Sequence, residues 1–169
     1  MRAFVLLLLA LASAEDRNDP EREAHLARVA AAIWAESAHA PRPPGEWRSL
    51  MAAVGIRESG FSRRIMAGRC KRSECDHGLA AGGWQLHANA LNRAEWERQA
   101  GDIELQAKLA SAQLKRAFRT CERSGVPWLV GTLNAYAGKR CGADHWPGLD
   151  QRIQTFNRLQ RLPVRKGTP

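Results

Sequence analysis

Helical periodicity, interrupted at intervals by proline and glycine, constrains this chain more than any other feature. Leu26, Val29, Ala30, Ile33, Trp34 and Ser37 recur at steps of three and four and mark one face of a helix near 21–39. Pro41, Pro43, Pro44 and Gly45 end it. A second stripe runs through Trp47, Leu50, Met51 and Val54 to Glu58, and Gly60 stops it. A short helix is expected around 93–99. Asp102 is placed to cap a long helix carrying Leu105, Leu109, Ala112, Leu114, Phe118 and Cys121 as far as Gly125. Pro127 opens a further helix to about Ala137, and Asp150 is placed to cap a last one with Ile153, Phe156 and Leu159. Residues 60–83 show no period, no segment alternates as a strand does, and no repeat is present. The fold class read from this pattern is all-α, with one helical domain over 15–162 and a frayed tail at 163–169.

The N-terminus has a different logic. Arg2 precedes an apolar run from Ala3 to Ala12, and Ala12-Ser13-Ala14 follows before Glu15-Asp16. A charged start, a short apolar stretch and an Ala-x-Ala site are the parts of a secretory signal peptide. Cleavage near Ala14 is expected, giving a periplasmic or secreted protein. The alternatives are an N-terminal anchor or a buried helix. The run is too short to cross a bilayer as a helix, and no other long apolar stretch follows, so no membrane span is expected in the mature chain.

Export gives the four cysteines a meaning, because an even count in an oxidising compartment favours disulfides. Cys70 and Cys75 lie close together in a polar stretch, while Cys121 and Cys141 follow two separate helical segments. Pairings 70–75 and 121–141 are expected. Zinc is disfavoured because Cys-x4-Cys followed by distant single cysteines is not a usual ligand spacing. The histidines at 25, 39, 77, 87 and 145 show no metal spacing either. No metal and no cofactor are expected.

The 169 residues carry a formal net charge of +9, and 21 of the 26 basic residues are Arg. Such a surface suits an anionic partner, although a GC-rich genome alone would also enrich Arg. Export argues against nucleic acid as the partner, and no basic helix with interleaved aromatics is present. An acidic polymer outside the cytoplasm remains.

Glu58 is the candidate for chemistry. It continues an apolar stripe, so its side chain is expected to point inward, and it sits in the last turn of its helix. Burial and the negative end of the helix both disfavour an ionised carboxylate. That is the condition a proton donor needs. Arg57, Arg63, Arg64, Arg69, Lys71 and Arg72 crowd the following loop and would act the opposite way if one came close. On stripe position alone, a structural ion pair with Arg is the competing reading.

The words around Glu58 carry a resemblance. Ile56-Arg57-Glu58-Ser59-Gly60-Phe61 resembles the Glu-Ser-x-Phe motif of the soluble lytic transglycosylase family, which has a lysozyme-like fold. Ala81-Gly82-Gly83-Trp84-Gln85-Leu86 resembles that family's Gly-Leu-Met-Gln and Gly-Pro-Trp-Gln motifs. Leu133-Asn134-Ala135-Tyr136-Ala137-Gly138 resembles its third motif, Ala-Tyr-Asn-Ala-Gly. The order and spacings agree over roughly residues 46 to 142. The third motif departs from the pattern: matching Ala-Gly puts Tyr136 at the family's Asn, while matching Tyr displaces the glycine by one.

The resemblance implies a lysozyme-like domain that cleaves the glycosidic bond between N-acetylmuramic acid and N-acetylglucosamine in peptidoglycan, with Glu58 as sole catalytic acid and base. It further implies substrate contacts for Ser59, Trp84, Gln85, Asn134 and Tyr136, with Trp84 free to stack on a sugar and Tyr136 beside Glu58. Structural readings stand next to each: a helix-end serine, a loop-fixing amide at Gln85 and a core phenol at Tyr136. A monomer acting on glycan strands is expected. A hydrolytic muramidase would need a second acid, for which Glu74, Asp76 and Asp144 are available. A non-catalytic cationic wall-binding protein would keep the helices and use Glu58 structurally. Trp47, Trp96, Trp128 and Trp146 are read as core or groove-wall residues rather than ligand platforms.

Overall fold

The computed structural model describes residues 1–71, 75, 79–87 and 98–161. Those residues form helices α1 (Arg2–Leu11), α2 (Arg22–Ser37), α3 (Pro44–Glu58), α4 (Arg63–Met66), α5 (Ile103–Cys121), α6 (Trp128–Tyr136) and α7 (Pro147–Arg161). A two-stranded antiparallel hairpin, β1 (Ala80–Ala81) and β2 (Leu86–His87), lies between α4 and α5. The fold is mainly α-helical. The helix expected around 93–99 and the tail at 163–169 fall, wholly or in large part, outside the described residues.

The helix α3 is the centre of the core. Trp47 and Ser49 through Gly55 are all buried, so this helix is apolar round most of its circumference rather than on one stripe. Its small residues allow the close approach: a Cβ on Gly55 would lie 2.2 Å from the Phe61 ring. Pro44 starts the helix at a position whose N–H has no helical partner. Helix α7 runs antiparallel along α3. Gln160 donates to the Gly45 carbonyl at 3.1 Å and to Ser49 Oγ at 2.8 Å, while Gln151 and Arg152 meet Arg57 and Glu58 at the other end. Helices α5 and α6 pack on each other, α2 bridges α5 and α3, and Trp128 of α6 meets Phe118 and Phe156 edge-on.

Several expectations need adjusting. Asp102 caps α5 by accepting from the Leu105 N–H at 2.8 Å, as read, but the helix ends at Cys121 rather than near Gly125. Ser124 Oγ takes the Cys121 carbonyl there and the chain turns away. Helix α7 begins at Pro147, not after Asp150, which instead lies in its first turn. The short α4 and the hairpin arise in the stretch read as aperiodic, because four or two residues are too few to print a period. Trp34, assigned to the apolar face of α2, is 36% exposed with the Arg48 guanidinium 3.8 Å from its ring centre.

The apolar N-terminal run is a helix in the full chain, with Val5 and Leu8 packed into the core beside α2. Among the described residues no helix is long and apolar enough to cross a membrane. Both expected disulfides form, Cys70–Cys75 with Cα atoms 6.1 Å apart and Cys121–Cys141 at 5.5 Å. The second ties the end of α5 to the loop between α6 and α7.

Candidate active site

Glu58 closes α3 because the backbone leaves the helix immediately after it. Ser59 departs from helical geometry and Gly60 takes a φ of +62°. A side chain at Gly60 would both strain that backbone and meet Ser13, whose Cβ would lie 2.6 Å away. Phe61 also has a positive φ, 55°, and drives its ring into the core against Trp84, centroids 5.1 Å apart. Its aromatic burial holds a conformation that non-glycine residues seldom adopt.

The three segments singled out in the sequence meet here. Ser59 Oγ donates to the Gly83 carbonyl at 2.7 Å and accepts from the Phe61 N–H at 3.1 Å. Tyr136 Oη donates to the Trp84 carbonyl at 2.8 Å. The glycine pair approaches α5 so closely that a Cβ on Gly82 would sit 2.8 Å from Gln106 Oε1. Glu58, the Gly83–Trp84 turn and Tyr136 are therefore tied into one unit by side chains that grip backbone.

Glu58 points inward, as its stripe position requires, and its partner is Arg152 of α7. Arg152 Nη2 bonds Glu58 Oε1, with the two side chains 12% and 20% exposed. Arg152 Nη1 donates to the Gly148 carbonyl at 2.9 Å, and its guanidinium lies 4.9 Å from the Trp146 ring centre. Trp146 is fixed in turn by its Nε1–H donating to Asn134 Oδ1 at 2.8 Å. Burial pushes the Tyr136 phenol far up, Glu58's charge adds to the effect and Arg152 opposes it. The phenol stays protonated and lies within electrostatic reach of the pair.

The basic loop after Glu58 has other commitments. Arg63 pairs with Asp19 and Glu21, its N–H donates to Asp16 Oδ2 at 2.8 Å, and Arg64 pairs with Glu15 at 2.9 Å. The acidic segment 15–21 thus binds the loop, while Arg57 reaches Gln151. The ion pair of Glu58 comes from the far end of the chain.

Two expected substrate contacts are corrected. Trp84 is fully buried and donates its Nε1–H to the Met51 carbonyl at 2.8 Å, so no face of its ring is free for a sugar. Asn134 is also fully buried. Its amide donates to the Cys141 and Ala143 carbonyls at 2.9 and 3.3 Å while its oxygen receives Trp146. It positions the loop before α7. Gln85 is half-buried, with a φ of 49°, and its amide donates to the Gly82 carbonyl at 3.0 Å. That is the loop-fixing arrangement.

Sequence reasoning missed Arg152 and Gln106. Both interrupt apolar stripes, Arg152 between buried Leu149 and Phe156, Gln106 between Ile103 and Ala110. Gln106 accepts from the Gly83 N–H at 2.8 Å and donates to the Met66 and Gln99 carbonyls, each at 2.7 Å. A polar residue on a buried face needs a partner, and that was the available signal. Of the possible second acids, Asp144 is exposed, and Glu74 and Asp76 lie outside the described residues, as does Trp96. Among the described residues, no group of three His, Cys, Asp or Glu side chains could hold a metal ion. Lys115, Arg116 and Arg119 make one face of α5 basic, and Arg116 and Thr120 share a shallow depression with Lys139 of the loop after α6. Lys139 Nζ in turn lies 5.6 Å from the Trp146 ring centre.

No family model, no curated protein and no solved structure matches the chain.

Proposed function

We propose that this chain is an exported, monomeric peptidoglycan lytic transglycosylase that uses Glu58 as its single acid and base. One observation carries the reading more than any other. Three segments distant in sequence, each resembling a motif of that family, are bound together at Glu58 through Ser59–Gly83 and Tyr136–Trp84 hydrogen bonds. The two disulfides fit an oxidising compartment.

In this reaction Glu58, protonated, donates its proton to the glycosidic oxygen between N-acetylmuramic acid and N-acetylglucosamine. The C1–O bond breaks and positive charge develops on the muramoyl ring. The muramoyl 6-hydroxyl attacks C1, and the Glu58 carboxylate takes the hydroxyl proton, leaving a 1,6-anhydro product. A second carboxylate, required by ordinary hydrolytic glycosidases, is not needed. Tyr136 and Ser59 act as positioning residues through the backbone they grip. Arg152 opposes the first step, because its guanidinium occupies the Glu58 Oε1 that would have to face the glycosidic oxygen.

That ion pair is also what favours a second reading, a non-catalytic cationic wall-binding protein in which Glu58 and Arg152 are structural. Incubating the protein and its Glu58→Gln variant with purified sacculi separates the two. Anhydromuropeptides from the native protein alone, detected by mass spectrometry, support the transglycosylase. Reducing-end muropeptides would make it a muramidase. Retained binding to sacculi with no release would leave the binder.

A further inference from the structure

The guanidinium beside Glu58 is only partly used. Nη2 holds Glu58, Nη1 holds a backbone carbonyl, and Nε is buried with no hydrogen-bond partner. Arginine meets a carboxylate best through two parallel bonds from one edge of its fork. Here the Nε edge lacks its second acceptor. A buried donor left unmade is destabilising, so the site is held short of full satisfaction. The Trp146 ring lies beside the fork, with its centre 4.9 Å from the guanidinium carbon, and the Gly148 carbonyl holds the far edge of the fork. A Cβ on Gly148 would lie 2.6 Å from Nη1, so the absence of a side chain there is part of the seat.

We infer that Arg152 is the receiving group for a carboxylate carried by the muramoyl unit of the substrate, which displaces Glu58 from the guanidinium by taking Nε and Nη2 together. This rests on the proposed function, and it removes the obstacle named there. While Arg152 faces Glu58, Oε1 of the carboxyl group is engaged by the guanidinium. Once a substrate carboxylate occupies the fork, Oε1 is released and is free to turn to the glycosidic oxygen. The substrate thereby frees its own proton donor. A glycan without carboxylates, such as chitin, leaves Glu58 paired. The muramoyl unit can present its carboxylate from the lactyl arm or from the stem peptide attached to it.

Calorimetric binding tests this with three probes of equal glycan length: peptide-stripped muramoyl strands, peptide-bearing strands and chitin oligosaccharides. Glu58→Gln removes the internal competitor and is expected to tighten muramoyl binding about fivefold or more relative to chitin binding. Tightening for the stripped strands assigns the lactyl carboxylate, and tightening for peptide-bearing strands alone assigns the stem peptide. Arg152→Gln is expected to abolish the preference for muramoyl over chitin strands. Arg152→Lys keeps the charge but not the fork, and is expected to lose most of the preference in a protein that still folds. Equal shifts for chitin and muramoyl strands in the variants would overturn the exchange and leave the proposed function standing. No binding of any glycan would overturn both.

Discussion

Arg152 of α7 and Glu58 of α3 form the ion pair that closes the two antiparallel helices over the centre of the candidate site, with 12% and 20% of their side chains exposed. Breaking a fully buried pair by removing one partner costs about 3–5 kcal/mol. The residual exposure here lets water reach the orphan, so Glu58→Gln and Arg152→Gln should each cost about 2 kcal/mol. The double variant should cost little more than either single one, giving a coupling of about 1–2 kcal/mol by urea unfolding. Additive effects would show that the two groups do not depend on each other.

Trp84, a residue type suited to stacking on a sugar, lies inside the core. If its role is packing, Trp84→Ala should cost about 3–5 kcal/mol in stability. Trp84→Phe keeps a ring against Phe61 but leaves the Met51 carbonyl without its donor, a loss of about 1–2 kcal/mol. Binding of glycan strands by the folded fraction should be the same for Trp84→Phe as for the native protein. A large loss of affinity with stability unchanged would return Trp84 to the substrate.

What the sequence made legible was local. The stripe from Trp47 to Glu58 predicts α3 and the inward direction of Glu58, because periodicity is a property of one helix. Cys70 and Cys75 lie close in sequence, so their bond is also a local feature. The partner of Glu58 was not legible, because Arg152 lies 94 residues away and no local pattern links them. Asn134 and Trp84 are ambiguous in sequence because their residue types suit both a sugar and a core. Only the tertiary fold shows that their polar atoms are consumed by Trp146, Met51 and two loop carbonyls.

The two disulfides should contribute unequally. The chain-entropy relation gives about 3 kcal/mol for the loop between Cys121 and Cys141 and about 2 kcal/mol for the much shorter Cys70–Cys75 loop. Replacing both cysteines of each pair by alanine and comparing chemical unfolding midpoints tests the order. Losing the 121–141 bond also frees the loop whose carbonyls hold Asn134, which in turn seats Trp146 against Arg152. On the proposed function, this variant should release fewer muropeptides at temperatures where it is still folded, whereas loss of the 70–75 bond should leave Arg152 in place.

His25 gives the fold a pH dependence of definite sign. Burial pulls its imidazole below the usual value of 6.5, the hydrogen bond to the Phe61 carbonyl opposes that, and Arg63 adds to the lowering. The folded protein therefore keeps His25 neutral where the unfolded chain has begun to bind a proton. The unfolded state binds more protons in that window, so stability rises with pH through it. This contribution is fully present above 6.5 and is lost as pH falls towards and below the folded-state value. The ring nitrogen meets the carbonyl of Phe61 at 2.9 Å, directly beyond the end of α3. His25→Gln, whose amide can still donate to that carbonyl, should flatten the dependence of the unfolding midpoint on pH between about 7 and 5. An unchanged slope in the variant would assign the pH dependence to other groups.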